Sequence, residues 1–162
     1  MLFIIGGDGS HRGAIHISKL LRQRKMVVSV AGIPKTIDND VAVVDHSFGF
    51  RTAVSEAVRA IISAKTEAKC LRNGIGIVKL MGRHAGYIAC FASIASGAVD
   101  LCLLPELEIS VSGPNSHLEH LRRVLKERGH AVVVVAEGAG EEILGARCVC
   151  RATNCLCPPA PT

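Results

Sequence analysis

Apolar residues along this chain fall into short unbroken runs and into helical stripes, and the two kinds alternate. Leu2-Phe3-Ile4-Ile5, closed by Gly6-Gly7, has the length and the lack of alternation of a buried strand. Ala14, Ile17, Leu20 and Leu21 then form a helical stripe, with Ser10 as the expected N-cap and a basic end at Arg22, Arg24 and Lys25, where cations suit the helix dipole. Residues 26–31 read as a second strand, followed by a polar connection over 32–45 that is long enough to carry a task of its own. Phe50, Val54, Ala57, Val58, Ile61 and Ala68 share one face of a helix expected over 47–69, and residues 75–80 read as a third strand. Residues 85–96 predict a buried helix, and 99–104 a strand broken off at Pro105. Pro114 suits the first position of a last helix, striped by Leu118, Leu121, Val124 and Leu125 and stopped by Gly129, before a fifth strand at 131–136.

Five apolar strands alternating with four helices predict an α/β fold: layered, with a mostly parallel sheet of about five strands and flanking helices. Ligands in such folds gather at the carboxyl ends of strands. Here those ends carry Asp8 after the first strand, Asp38 after the second, Arg83 after the third and Glu137 after the last.

Composition narrows the function classes. The 162 residues, 49% hydrophobic and 20% charged, suit one globular domain. A net charge of +5 with only 3% aromatic residues offers no base-stacking platform, so no nucleic-acid partner is expected, and the charge is assigned to solvated surface and phosphate-binding arginines. No apolar stretch approaches the roughly 20 residues of a membrane span, and no basic-then-apolar leader is legible, so no membrane partner and a cytoplasmic location are expected. Seven cysteines are an odd number, and Cys70, Cys90 and Cys102 lie in apolar periodic segments, where they read as reduced core thiols.

Three stretches carry candidate chemistry. Gly6-Gly7-Asp8-Gly9-Ser10, between a strand and a helix, lets backbone approach a phosphate at a helix N-terminus, with Asp8 as a magnesium carboxylate; the same residues are also ordinary turn chemistry. Pro34-Lys35-Thr36-Ile37-Asp38-Asn39-Asp40 sets two carboxylates two residues apart beside a lysine and a hydroxyl: the groups for a general base, a charge clamp and an oxygen contact. Arg83, between Gly82 and Gly86, offers a guanidinium that can engage phosphate oxygens bidentately.

In order and spacing these stretches, together with FGFRTAVSEA at 48–57, GIGIVKLMGRHAGYIA at 74–89, LLPE at 103–106 and VVVVAEGAG at 132–140, resemble the phosphofructokinase family, and its plant-type ATP-dependent branch in particular. NAD and lipid kinases share the GGDG element and lack the other two motifs. The resemblance implies transfer of a phosphoryl group from Mg-ATP to the C1 hydroxyl of fructose 6-phosphate. It further implies Asp38 as the base, Arg83 as the phosphoryl-stabilising arginine, and Asp8 on Mg2+. Thr36, Asp40, Met81, Gly82 and Glu137 would line the sugar site, and Gly7, Gly9, Ser10 and Lys35 the donor site. Gly9 leaves room for a nucleotide where pyrophosphate users carry an aspartate, whereas Lys35 is typical of those users. The full-length family forms homo-oligomers, tetramer-like.

Departures from the family pattern bound the reading. The resemblance runs over residues 1–142, and the family's opening phosphate loop and its later sugar-phosphate residues find no match. Residues 143–162, with Cys148, Cys150, Cys155 and Cys157, are expected to form a divergent, disordered tail, a zinc site being the alternative. A catalytically incomplete fragment that only binds ligands or subunits is therefore the competing expectation. Arg51 stands where plant-type members carry aspartate, His84 is expected to order its loop, and Glu106 follows Pro105 where some bacterial members place an effector contact.

Overall fold

The computed structural model describes residues 1–41 and 44–140. Strands and helices alternate along them as β1 (Leu2–Gly6), α1 (Asp8–Gln23), β2 (Val30–Thr36), β3 (Phe48–Gly49), α2 (Phe50–Lys69), β4 (Gly74–Leu80), α3 (Tyr87–Ser96), β5 (Leu101–Leu103), α4 (His117–Arg128) and β6 (His130–Ala136). Every strand pairing is parallel. The α/β class expected from the pattern is therefore the class found. The strands nonetheless form two three-stranded sheets, ordered β1-β2-β3 and β4-β6-β5, in place of one sheet of about five. The additional strand, β3, is a two-residue rung against Lys35 and Thr36, too short to leave a periodic signal.

Register, more than composition, sets the strand limits. Pairing Leu2–Gly6 residue by residue with Val30–Pro34 moves the second strand four residues beyond the expected 26–31, into the supposed connection. Met26 and Val27 are left exposed. Proline is admitted at position 34 because that stretch of β2 has a neighbour on one side only. Strand β1 is also less buried than expected: Phe3 and Ile5 are 58% and 62% exposed, since β1 has a single strand neighbour and alternate side chains point to a face that no described element covers.

The core lies around the second sheet. Phe50 and Ile61 of α2, Ile88, Ala89 and Ala92 of α3, and Val132 and Val134 of β6 form its buried centre, matching the expected apolar face of α2. The Phe50 ring meets Phe91 edge-on at a centroid distance of 5.3 Å. Helix α2 lies directly on β4 because Gly76 has no side chain: a Cβ there would stand 2.8 Å from the carbonyl oxygen of Ala64.

Helix α2 begins at Phe50, not at 47, because Ser47 precedes the β3 rung, and α3 begins at Tyr87, not at 85; two caps differ as well. The first intrahelical bond of α1 runs from His11 N–H to the Gly7 carbonyl, so Gly7 is the N-cap and Ser10 sits inside the first turn. In α4 the cap is Ser116, whose hydroxyl oxygen accepts the Glu119 N–H at 3.3 Å, and Pro114 lies in the turn before it. Gly129 ends α4 at φ 72°, as expected. Cys70 is exposed at the end of α2, contrary to the core assignment, because its position falls beyond the last buried turn. Cys90 and Cys102 are half-buried free thiols. Burial pushes the Cys102 thiol above its ordinary pKa, against a lowering hydrogen bond from Ser93. The tail expected over 143–162 lies outside the described residues.

Candidate active site

The three candidate stretches all follow carboxyl ends of parallel strands. Because β1 and β2 pair in register up to Gly6 and Pro34, the turn after Gly6 lies beside the last residues of β2; a Cβ on Gly7 would be 3.8 Å from the Lys35 carbonyl oxygen. The first sheet thus gathers Gly7, Asp8, Gly9 and Ser10 with Lys35, Thr36, Asp38 and Asp40. In the second, Leu80 pairs with Ala136, which sets Met81, Gly82 and Arg83 beside Glu137.

Asp8 opens α1, whose N-terminus has no side-chain cap, so its first N–H groups remain available to an anion. The carboxylate is half-exposed and pairs with Arg12 one turn on, at 2.9 Å. Gly9 next to it is not required by packing, since a Cβ there would meet nothing within 4 Å. No group of three or more His, Cys, Asp or Glu side chains among the described residues is arranged to hold a metal. A single carboxylate fits a Mg2+ that draws its remaining ligands from phosphate and water, and does not fit a caged structural ion.

Asp38 is held from one side. The Thr36 hydroxyl donates to Asp38 Oδ2 at 3.2 Å and accepts the Asp38 N–H at 3.2 Å. Among the described residues this leaves Oδ1 without a partner, in a half-exposed position from which a carboxylate can accept a proton. Asn39 follows with φ 55°, a left-handed conformation that asparagine tolerates and that reverses the chain directly after Asp38.

Arg83 is presented by a tight turn. Gly82 has φ 148° and Arg83 φ 54°, and Ala85 N–H closes the turn on the Gly82 carbonyl at 2.9 Å. The Arg83 N–H donates to Glu137 Oε2 at 3.0 Å, while its guanidinium forms no ion pair among the described residues. Glu106 accepts the Gly86 N–H at 2.7 Å and so anchors the start of α3. No hydrogen bond or ion pair among the described residues joins the Asp8 and Asp38 half of the site to the Arg83 and Glu137 half.

A family profile described as Phosphofructokinase matches residues 1–154. The chain belongs to the phosphofructokinase family. It is 54% identical over 144 residues to ATP-dependent 6-phosphofructokinase 5, chloroplastic, of Arabidopsis thaliana, covering 89% of this chain and 27% of the relative. It is 47% identical over 148 residues to the ATP-dependent 6-phosphofructokinase of Borreliella burgdorferi, covering 88% and 33%. Among solved structures, the Pichia pastoris phosphofructokinase in the T-state superposes with a TM-score of 0.68 at 27% identity, over 85% of this chain and 16% of that one. A pyrophosphate-dependent phosphofructokinase from Marinobacter aquaeolei superposes with 0.67 at 28% identity, over 85% and 36%. The chain thus spans about a third or less of the curated relatives it matches.

Three residues of this phosphofructokinase segment escaped the sequence reading as site supports. Asn39 was legible, since it sits inside the motif and asparagine favours a left-handed turn. Glu106 drew notice only as an effector contact, whereas its carboxylate accepts the N–H of Gly86, the N-cap of α3. Ser47 gave no signal, because its contacts reach back eight and eleven residues.

Proposed function

We propose that this chain supplies the acceptor and charge-stabilising parts of a 6-phosphofructokinase that moves the terminal phosphoryl group of ATP to fructose 6-phosphate, giving fructose 1,6-bisphosphate. The observation that carries the reading is the Asp38 carboxylate just past the end of β2, with Oδ2 bound by Thr36 and Oδ1 open among the described residues. Asp38 Oδ1 takes the proton of the C1 hydroxyl as that oxygen bonds to the terminal phosphorus and the bond from phosphorus to the leaving ADP oxygen breaks. Arg83 stabilises the charge on the moving group, its backbone fixed by Glu137. Thr36, Asp40, Met81, Gly82 and the remaining oxygen of Glu137 line the sugar. Gly7, Gly9, Ser10 and Lys35 receive the donor phosphates, and Asp8 would hold Mg2+, turning from Arg12 to do so. Bound there, Mg2+ supplies charge neutralisation at the phosphate oxygens.

ATP as donor is supported by the open space at Gly9 and by the relatives' names; Lys35 favours pyrophosphate. Competing the two donors in a fructose 6-phosphate assay of a full-length phosphofructokinase carrying this segment tests both parts. Turnover with ATP that is lost in Asp38→Ala is expected. Turnover with pyrophosphate alone would overturn the donor, and a fully active Asp38→Ala the base. The chain's coverage of its relatives favours a second reading for the isolated segment, binding of ligands or subunits without turnover.

A further inference from the structure

Among the described residues, Ser47 and Ser116 are the polar residues buried as whole residues. Ser116 caps α4, which accounts for its burial. Ser47 caps no helix, since the N-cap of α2 is Gly49. Its hydroxyl, 5% exposed as a residue, donates to the Thr36 carbonyl oxygen at 2.7 Å, and its backbone N–H donates to Asn39 Oδ1 at 2.8 Å. The Asn39 amide is fixed on its other side, where Nδ2 donates to the Asp45 carbonyl at 3.1 Å. The two Ser47 bonds therefore bracket Asp38, one on the residue that grips its carboxylate and one on the residue at which the chain reverses.

We propose that Ser47 is the positioning residue for Asp38: from the base of β3 it fixes the Thr36-to-Asn39 turn and with it the direction of the Asp38 carboxylate. The proposal deepens the reading of Asp38 as proton acceptor and rests on it for its functional meaning. The β3 rung joins Phe48 and Gly49 to Lys35 and Thr36 through backbone bonds, so it survives loss of the hydroxyl. What the hydroxyl adds is a bond to the carbonyl of Thr36, the last residue of the rung and the one whose side chain grips Asp38. A buried hydroxyl carries one proton, and the closer Thr36 oxygen takes it; the 3.3 Å approach of Ser47 Oγ to Asn39 Oδ1 is secondary.

Amide hydrogen exchange and fructose 6-phosphate titration, both followed by NMR on the labelled 162-residue chain, test this. In Ser47→Ala the Asp38 amide is expected to exchange about tenfold faster, the factor for one lost hydrogen bond, with Val132 and Val134 unchanged. Ser47→Thr, which keeps the hydroxyl, should restore exchange to within about twofold of the parent, and sugar-phosphate affinity should fall and recover in step. Unaltered exchange at Asp38, or equal acceleration at Val134, would overturn the proposal. If Ser47→Ala does not fold, Asn39→Gly deletes the acceptor and keeps the left-handed turn accessible; faster exchange at Asp38 is again expected, and unaltered exchange again defeats it. A parent chain that binds no fructose 6-phosphate, while Ser47→Ala loosens Asp38 selectively, would sink the functional reading for this chain and leave the positioning of Asp38 standing.

Discussion

At the scale of the residue, the site separates positions that packing demands from positions that it leaves free. Gly82 is demanded, because φ 148° is out of reach of ordinary side chains. Gly9 is not, because a Cβ there meets only open space. A free glycine beside Asp8 therefore bears on ligand choice. Gly9→Asp should change folding stability by less than about 1 kcal/mol, since an acid in the first turn of α1 suits the helix dipole. In a full-length enzyme carrying this segment the same change should lower use of ATP relative to pyrophosphate about tenfold or more, by crowding and repelling the part of the nucleotide that pyrophosphate lacks. Paired melting curves and donor competition read the two effects apart. Unchanged donor preference would remove the steric argument for ATP. Asp38 and Thr36 were legible here because their chemistry is local to seven residues, whereas Ser47 was not, because its partners are distant in sequence and adjacent only through β3.

At the scale of the element, α2 holds the molecule's core and exposes two tests. Its contact with β4 depends on close approach at Gly76, where a Cβ would meet backbone that cannot swing aside. Gly76→Ala should cost about 1–3 kcal/mol by overpacking, seen as an equal drop in the stability read by chemical denaturation. The first turn of α2 carries no acidic residue, and Arg51 places a cation at the positive end of the helix dipole. Arg51→Asp should stabilise the chain by about 0.3–1 kcal/mol at low salt and less at high salt, which thermal melts at two ionic strengths would register. A loss of stability would mean that Arg51 holds a partner the dipole argument ignores. The helices were the more legible elements, because a stripe such as Phe50, Ala57 and Ile61 repeats over many turns. Strand limits were less so, since β2 extends into Gly32-Ile33-Pro34-Lys35-Thr36 for the sake of its pairing with β1.

At the scale of the whole molecule, two small parallel sheets each present half of the candidate site, and the chain spans about a third or less of its curated relatives. The isolated 162-residue chain is accordingly expected to show less than about a hundredth of the turnover of a full-length enzyme in a coupled assay, since catalytic groups acting as a unit fail together. Turnover near the full-length rate would show that this segment alone completes the site. The sequence by itself determined the α/β class, the family, and which residues stand at the strand ends, because run length, helical period and motif spacing are properties of the chain read in one dimension. Only the tertiary structure decided that the strands divide into two sheets, that no described element covers one face of β1, that Glu137 holds the Arg83 backbone, and that Ser47 braces Asp38. Each of those depends on which backbone groups find one another across distant stretches of chain, and hydrogen-bond partners of that kind are fixed by register and packing, which no local pattern encodes.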